Sequence, residues 1–340
     1  MPDHLPAGQN PVATPKVGVL LLNLGTPDAT DYWSVRRYLK EFLSDQRVIE
    51  TPRWLWWPIL NLIILSVRPQ KSGANYARIW DKRTNESPLL VITRDQSKAL
   101  AERLAADDVV VDYAMRYGNP STASRIAALQ AAGCQKILLV PLYPQYSATT
   151  TATANDKAFD ALETMRWQPA VRTLPAYFDD PVYIETLANS IREGVEKLDF
   201  EPDVVITSYH GMPIEYRDKG DPYYYQCLET TRLVREKLGW AEDKLMVTFQ
   251  SRFGRAEWLQ PYTDKTLMAL PGKGIRKVAI LAPAFAADCI ETLEEIAITN
   301  HEIFEAAGGE RYAYIPCLNA TPSGMDMIEH VVRRELAGWI

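Results

Sequence analysis

The sequence is poor in cysteine and contains no cysteine pair of the kind that binds a metal. Its four cysteines, Cys134, Cys227, Cys289 and Cys317, lie far apart among 340 residues. Without a C-x-x-C pair, neither a zinc site nor a disulfide framework is indicated. A reducing cytoplasm is the simplest setting for such a chain.

The sequence also lacks an apolar run long enough to cross a membrane, which requires about 20 residues. The most apolar segment, residues 54–65, is shorter and is interrupted by Pro58 and Asn61. It is compatible with a buried helix and with an apolar lip that enters a membrane surface. We therefore expect a cytoplasmic protein, with residues 54–65 offering a peripheral contact to the inner face of the membrane.

Further absences exclude classes of ligand. No G-x-G-x-x-G follows the first predicted strand and no G-x-x-x-x-G-K-[ST] occurs, which disfavours dinucleotides and nucleoside triphosphates. The net charge of -6 argues against nucleic acid as a partner. Residues 1–15 are rich in proline and lack a basic start before an apolar segment, so they predict a disordered leader rather than a secretory signal.

What the sequence does contain is a regular alternation of apolar, strand-like runs with helical patterns. Strands are predicted at residues 16–24, 109–113, 137–142, 171–174, 204–208, 245–249, 278–281 and 312–316. This alternation predicts parallel sheets covered by helices on both faces. The predicted fold class is α/β, with two similar doubly wound, Rossmann-like lobes, each with a four-stranded parallel sheet, and a cleft between them. Residues 16–178, including the apolar lip, form the N-terminal lobe, and residues 179–340 form the C-terminal lobe.

Helices are predicted between the strands, among them residues 32–43, 88–105 and 181–198. After the first strand, Thr26 is a suitable N-cap and Pro27 suits the first position of a helix. Such turns lie at the carboxyl ends of the strands. In open parallel sheets, ligands bind beyond those ends.

One histidine occupies a distinctive position in this pattern. His210 directly follows the predicted strand at residues 204–208, whereas His4 lies in the leader and His301 and His330 lie in predicted helices. A histidine titrates near neutrality and is both a proton acceptor and a metal ligand. The alternative is a rim histidine bonded to a backbone carbonyl.

An acidic cluster follows another strand, the one predicted at residues 278–281. Asp288 and Glu291 are compatible with an N-cap and a reciprocal cap at the start of a helix. Capping does not account for Glu295, which lies four residues after Glu291 on the same face, where like charges repel. A metal ion, a shared proton or open solvent must relieve this repulsion. With His210 at the same rim, we favour a divalent-metal site formed by His210, Glu291 and Glu295.

Aromatic and basic residues follow several other strands. Arg116 and Tyr117, Tyr143, and Trp258 all occupy such positions, although aromatic residues are more often part of a core. Their placement predicts a large, flat, apolar ligand whose carboxylates are held by Arg68 and Arg116.

These motifs resemble those of the ferrochelatases, which insert ferrous iron into a porphyrin. The matching segments follow the family order from about residue 16 to 321, at residues 22–27, 115–118, 141–147, 209–213, 220–223, 249–254, 258 and 290–296. The resemblance implies two Rossmann-like lobes around a porphyrin cleft. It implies that His210 is the catalytic histidine and Glu291 the glutamate that handles protons or the metal, with Glu295 behind it. The porphyrin-contacting positions implied are Leu24, Arg68, Tyr76, Ser87, Arg116, Tyr117, Tyr143 and Trp258.

The sequence departs from the family pattern at two points. Some relatives have a histidine where this chain has Cys289, so a role for that histidine does not carry over. Some also bind a [2Fe-2S] cluster through cysteines in a C-terminal extension, whereas this chain ends at Ile340 without them. We expect no [2Fe-2S] cluster and no cofactor, with Fe2+ as a substrate.

The resemblance leaves several alternatives open. The expected reaction inserts Fe2+ into protoporphyrin IX to form protohaem, the last step of haem biosynthesis, and releases two protons. The alternatives are a coproporphyrin ferrochelatase, a cobalt chelatase for another tetrapyrrole, and a porphyrin or haem carrier without chemistry. The tryptophan-rich lip favours the more apolar protoporphyrin. The expected partners are the porphyrin and Fe2+, with no nucleic acid, and the chain is expected to be a monomer or a weak dimer.

Overall fold

The strands of the computed structural model, which describes residues 15–254 and 256–340, form two parallel sheets. The first, in the order β2-β1-β3-β4, contains β1 (Lys16–Thr26), β2 (Val109–Gly118), β3 (Cys134–Pro141) and β4 (Ala170–Thr173). The second, in the order β6-β5-β7-β8, contains β5 (Val204–His210), β6 (Leu245–Gln250), β7 (Lys277–Leu281) and β8 (Arg311–Tyr314). The predicted α/β class with two four-stranded parallel sheets is confirmed. The predicted leader, residues 1–15, lies outside the described residues except for residue 15.

Helices connect the strands throughout. The α-helices are α1 (Tyr32–Leu43), α2 (Arg53–Pro58), α3 (Leu65–Ile79), α4 (Pro88–Arg103), α5 (Thr122–Ala131), α6 (Thr153–Glu163), α7 (Pro181–Glu196), α8 (Ile214–Asp218), α9 (Tyr223–Leu238), α10 (Thr263–Ala269), α11 (His301–Ala306) and α12 (Pro322–Leu336). Among the residues described, π-helical segments occur at Ile59–Ile64, Ala148–Ala152 and Glu291–Asn300, and short 3-10 turns at Ala105–Asp107 and Pro271–Lys273. No helix in the described part of the chain is both long and apolar enough to cross a membrane.

Successive strand residues point to opposite faces of a sheet, and helices cover both faces. In β1, Val19 packs in a cluster with Leu100 of α4, whereas its neighbour Leu20 packs in a different cluster with Ile126 of α5 and Ala158 of α6. All of these side chains are almost completely buried. The continuous apolar run of β1 is therefore explained by helices on both sides of it.

The two sheets also share one hydrophobic cluster. Val19 of the first sheet and Val205 of the second belong to it, together with Val331 of α12. At the end of α12, Arg172 of β4 donates to the carbonyl oxygens of Glu335 and Ala337, at 2.8 and 2.9 Å. The last helix is thus anchored on the first sheet. The predicted division of the chain into lobes at residues 178 and 179 stays a prediction.

The start of the first helix differs from the prediction. Thr26 is the last residue of β1, where it pairs with Gly118, so the predicted N-cap at Thr26 with Pro27 as the first helical residue is wrong. The cap is Asp31, whose carboxylate accepts from the N–H groups of Trp33 and Ser34 at 2.9 and 3.1 Å. The strand continues through Thr26 because its partner strand β2 is equally long at that end.

The apolar lip, residues 54–65, is partly surface and partly core. Trp54 and Leu62 are 79% and 74% exposed, respectively, whereas Trp56 and Leu60 are buried. The indole N–H of Trp56 donates to the carbonyl oxygen of Leu43 at 2.7 Å. The segment is therefore an exposed apolar ridge fastened by two inward side chains, and it leads directly into α3.

Candidate active site

His210 is the last residue of β5, and its side chain has a defined tautomer. Its Nδ1 lies 2.6 Å from the carbonyl oxygen of Gly211. A carbonyl oxygen only accepts hydrogen bonds, so Nδ1 carries the proton of the neutral ring and Nε2 is the unprotonated nitrogen. The hydrogen bond to a backbone carbonyl that the alternative interpretation required is therefore present. It occupies Nδ1 of the half-buried imidazole and leaves Nε2 free to accept a proton.

Glycine is needed immediately after this histidine. A Cβ on Gly211 would lie 2.5 Å from the carbonyl oxygen of Gln250, closer than real Cβ contacts. The N–H of Gly211 donates to that same oxygen at 2.7 Å. The missing side chain lets the turn after His210 cross closely over the end of β6.

The carboxylates that the sequence places near His210 lie on the π-helix Glu291–Asn300, called here the acidic π-helix. Gln250, at the end of β6, donates from Nε2 to the backbone oxygen of Glu291 at 2.8 Å. Ser251 donates its N–H to Oε1 of Glu295 at 2.7 Å and its hydroxyl to Oε2. The strand next to β5 therefore holds the acidic π-helix at the rim where His210 lies.

The charge state of Glu295 reflects opposing influences. Burial raises the pKa of this carboxyl above its ordinary value, and the like charge of Glu291 adds to the effect. The hydrogen bonds from Ser251 lower this pKa, and so does the charge interaction with the nearby His210. His210 pairs in the sheet with Gln250, which bonds to Glu291, and the next residue, Ser251, bonds to Glu295, so the backbone places all three predicted residues at one end of the sheet.

The capping interpretation of Asp288 and Glu291 is wrong. In a capping box, the glutamate accepts from the N–H of the cap residue, but the N–H of Asp288 donates to Oδ1 of Asn319 at 2.8 Å. The Asp288 carboxylate accepts from Tyr314 at 2.5 Å, from Asn319 at 2.7 Å and from Thr292 at 2.9 Å. Asp288 thus fastens the segment before the acidic π-helix to the loop after β8.

The N-terminal lobe faces Glu291 with buried tyrosines and an arginine. Burial raises the pKa of Tyr76 and of Tyr38 well above the usual range, and the charge of Glu291 contributes to both shifts. Burial lowers the pKa of Arg68, whose guanidinium carbon lies 4.9 Å from the ring centre of Phe253. Arg68 of α3 therefore contacts the C-terminal lobe directly, and the assignment of Arg68 and Tyr76 as a ligand clamp stays a prediction.

Three of the predicted contact residues have hydrogen-bond or ion-pair partners within the protein, and their contact with a porphyrin stays a prediction. Arg116 forms an ion pair with Asp45 in which both side chains are largely buried, and it donates from Nε to Thr153 at 2.6 Å. Tyr117 is fully buried and donates to the same aspartate at 2.9 Å. Ser87 caps α4 by accepting from the N–H of Leu90 at 3.2 Å.

The remaining predicted contact residues are Leu24, Tyr143 and Trp258. Leu24 is half-buried and packs against the cluster that contains Leu60 of the lip segment. Tyr143 and Trp258 are half-buried, and within the described residues the Tyr143 hydroxyl and the Trp258 indole N–H have no hydrogen-bond partner.

Metal handling by His210, Glu291 and Glu295 stays a prediction. Within residues 15–254 and 256–340, no three His, Cys, Asp or Glu side chains converge as a metal cage. Cys289, at the position of the histidine found in some relatives, is buried, and burial together with the Glu291 charge raises the pKa of its thiol.

Two contributors were missed by the sequence prediction. Gln250 and Ser251 were recognised only as part of a motif, not as residues that hold the carboxylates. The missed signal was their position: Gln250 is the last residue of β6 and Ser251 follows it, and β6 pairs directly with the strand that ends at His210.

Comparison with known proteins agrees with the resemblance found in the sequence. Residues 16–336 match the family model for Ferrochelatase. The chain is 60% identical over 339 residues to Ferrochelatase of Allorhizobium ampelinum, covering 99% of this chain and 98% of that protein. It is 60% identical over 326 residues to Ferrochelatase of Rhizobium meliloti, covering 96% of each.

Solved structures agree at the level of the fold. SirB from Bacillus subtilis with Fe3+ matches with a TM-score of 0.54 at 12% identity, covering 94% of this chain and 95% of that one. The sirohydrochlorin chelatase SirB from Bacillus subtilis subspecies spizizenii, in complex with cobalt, matches with a TM-score of 0.53 at 10% identity, covering 94% of each chain.

Proposed function

The chain belongs to the ferrochelatase family and inserts iron into a porphyrin in haem biosynthesis, and we propose that its porphyrin is protoporphyrin IX. The reaction is that of a lyase of the metal chelatase type. The product would be protohaem, and two protons would be released per Fe2+ inserted. The observation that carries the choice of porphyrin is the exposed apolar ridge that leads into the helix of the predicted ligand clamp.

The ridge suits an apolar substrate. Trp54, Trp57, Leu62, Ile63 and Val67 are between 50% and 79% exposed and follow one another along α2, the π-helical segment and the start of α3. Large exposed apolar patches mark interaction sites. Protoporphyrin has apolar vinyl groups where coproporphyrin has two additional propionates, so it is the substrate that an apolar entrance favours.

The two arginines predicted to hold carboxylates support the same choice. Arg116, one of the two arginines predicted to hold carboxylates, is already paired with Asp45. Among the described residues, the contact recorded for the Arg68 guanidinium is with the ring of Phe253 rather than with a carboxylate. Of these two arginines, Arg68 is thus the one left for a substrate carboxylate, which suits a porphyrin with two propionates better than coproporphyrin with four.

For the chemistry, we assign proton acceptance to His210. Two pyrrole N–H protons occupy the centre of the porphyrin, and the metal cannot enter while they remain. Nε2 of His210 would take the first proton, since Nδ1 is bonded to the carbonyl of Gly211. The same nitrogen cannot hold a metal and a proton at once, so any metal bound there must leave first.

Glu291 would accept the second proton or guide Fe2+. Glu295 would lie further from the porphyrin and assist Glu291 in supplying the metal. Ser251 holds Glu295 through two donors, which makes it the more firmly fixed of the two carboxylates. The remaining task is to bend the planar ring so that its nitrogens point outward, which requires tighter binding of the bent form than of the flat one. Contacts from Leu24, Tyr76, Tyr143 and Trp258 would supply this difference.

Ser87, Arg116 and Tyr117 would act indirectly, by shaping the cleft. Their side chains cap α4 or bind Asp45, as described above. Direct contact with the porphyrin would require these bonds to break.

We further propose that no [2Fe-2S] cluster or other cofactor takes part. Support comes from the four cysteines, all buried, whose thiol pKa values are raised by burial. Cluster ligation requires thiolates. The purified protein is expected to lack acid-labile sulfide and a visible iron–sulfur spectrum, and finding both would contradict this proposal.

We also propose a cytoplasmic protein, monomeric or weakly dimeric, that touches the inner face of the membrane through residues 54–65. Beside the exposed tryptophans lie cations: the Lys40 amine is 5.8 Å from the ring centre of Trp57, and the Arg36 guanidinium is 5.9 Å from that of Trp33. Aromatic side chains next to basic ones suit the headgroup region of an anionic membrane.

The test of the substrate proposal compares two porphyrins. Purified protein is mixed with protoporphyrin IX or coproporphyrin III and with anaerobic Fe2+ or with Zn2+, and the metalloporphyrin spectrum is followed over time. A kcat/KM at least about tenfold higher for protoporphyrin, or about 1.4 kcal/mol, is expected. A preference for coproporphyrin would overturn the substrate proposal and leave the family membership intact.

A further inference from the structure

Arg78 joins the two lobes at the acidic π-helix. It lies near the end of α3, two residues after Tyr76, and its guanidinium reaches the C-terminal lobe. Nη1 donates to Oε1 of Glu294 at 2.7 Å, and Nη2 donates to Oε1 of Glu302 at 2.8 Å. The two arms differ in burial, because the side chain of Glu294 is 8% exposed and that of Glu302 is 64% exposed.

The buried arm ends on the same helical segment that carries the two carboxylates assigned to the chemistry. Glu294 occupies the acidic π-helix between Glu291 and Glu295. Besides Arg78, its Oε1 accepts from the hydroxyl of Thr299 at 3.1 Å. A buried carboxylate requires a charge partner, and removing that partner is far more costly than losing an exposed ion pair. Glu294 is therefore firmly tied to α3, whereas the exposed Glu302 arm adds little.

We propose that Arg78 is a positioning residue for metal insertion, setting the acidic π-helix against α3. This rests on the proposed function, in which α3 holds the porphyrin through Arg68 and Tyr76, and Glu291 handles the metal or protons. Arg78 touches neither substrate. It fixes how far the carboxylates of one lobe lie from the porphyrin clamp of the other.

The chemistry makes that distance matter. Insertion requires the carboxylates to meet the ring nitrogens in the correct geometry, and a displacement of about 1 Å in such a site costs on the order of 100-fold in rate. Other described ion pairs between the lobes do not involve the acidic π-helix; Arg103 and Asp326, for example, join α4 to α12 at 2.6 Å. They hold the lobes together without reaching the carboxylates.

The test separates positioning from stability. Arg78→Ala alone would leave Glu294 buried and unpaired, so it would lower the melting temperature whatever its catalytic effect. In the double variant R78A/E294Q, the glutamine keeps the size and the acceptor for Thr299 but removes the charge, and the melting temperature is expected to recover. We expect kcat/KM for Zn2+ to stay at least about tenfold below the native value, with the protoporphyrin Kd, read from fluorescence quenching, unchanged.

Two controls accompany this variant. Glu302→Gln removes only the exposed arm and should leave both melting temperature and kcat/KM near native. Arg103→Ala breaks the ion pairs between α4 and α12 and should lower the melting temperature without changing kcat/KM below the transition. Arg78→Gln, which keeps a hydrogen-bond donor, should give an intermediate kcat/KM and serves if the double variant does not fold.

A native kcat/KM in a folded R78A/E294Q or Arg78→Gln variant would reduce Arg78 to a structural role and overturn the proposal. Glu291→Gln is measured in parallel, so that a failure of the proposed function can be told from a failure of the positioning role. Normal turnover in Glu291→Gln would refute the role assigned to that carboxylate. An inactive Glu291→Gln beside a fully active R78A/E294Q would refute only the positioning role.

Discussion

Ser251 donates both its backbone N–H, at 2.7 Å, and its hydroxyl to the carboxylate of Glu295. It can do so because its backbone adopts a left-handed conformation with φ of 63°, which is uncommon for a residue other than glycine. Such strain concentrates at functional sites. Two donors directed at one buried carboxylate keep it oriented toward the rim that His210 occupies.

The stability of the protein should depend on the ionisation of Glu295. Its pKa is raised above the ordinary value of 4.5, so the folded protein disfavours the charged form. The sign follows from linkage: the cost is absent below pH 4.5 and grows as the pH rises through the folded-state pKa. Glu295→Gln should therefore melt at a higher temperature than the native protein at neutral pH, with the difference vanishing in acid. A difference that is the same at every pH would contradict this.

The sequence predicted the parallel sheets because each strand carries its own local signal. β1 and β5 are continuous apolar runs that need no partner to be recognised. The position of His210 followed in the same way, since it required only the end of one strand.

The partners of individual side chains were not predictable in this way. Arg116 meets Asp45 across 71 residues of sequence, and Arg78 meets Glu294 across 216. No local pattern contains such pairs, and so Arg116 was expected to meet a ligand carboxylate rather than a protein one. The supposed cap at Asp288 failed for the same reason: local spacing suggested it, but Asn319, 31 residues away, takes the N–H that the cap would need.

Removing the imidazole should separate binding from chemistry. His210→Ala deletes the proposed proton acceptor but leaves the cleft contacts of Arg68 and Tyr76 in place. Metal insertion should fall by at least about 100-fold, in line with the usual contribution of a general base, while protoporphyrin still quenches protein fluorescence with a near-native Kd. The measurement is steady-state Zn2+ insertion beside a binding titration, and near-normal turnover would show that His210 is not the base.

The lip offers a matched pair of variants because neighbouring tryptophans differ in burial. Trp54 and Trp57 are 79% and 50% exposed, whereas Trp56 is buried at 7% and bonded to the oxygen of Leu43. A Trp54→Ser, Trp57→Ser double variant should bind anionic vesicles more weakly, with little change in melting temperature. Trp56→Ser should instead cost about 3–5 kcal/mol of unfolding free energy. Unchanged vesicle binding by the double variant would remove the lip from any membrane contact.

Glu291→Gln and Glu295→Gln should differ in activity, and the difference ranks the two carboxylates. A reciprocal cap no longer explains Glu291, because the N–H of Asp288 is bonded to Asn319. Glutamine at 291 keeps the size but loses the charge that accepts a proton or guides the metal, so turnover should fall steeply. The fold should be unaffected or slightly stabilised, since repulsion between the two carboxylates is relieved.

At 295, glutamine keeps an oxygen for the donors of Ser251, and the carboxylate lost there is one step further from the ring. The decrease in turnover should be smaller than at 291 and strongest at low metal concentration, because a residue that feeds the metal affects KM for the metal more than kcat. The comparison requires Zn2+ titrations of both variants beside their thermal melts. Equal losses of kcat at saturating metal would show that both carboxylates act directly at the ring, whereas normal turnover in Glu291→Gln would leave His210 without its assigned partner.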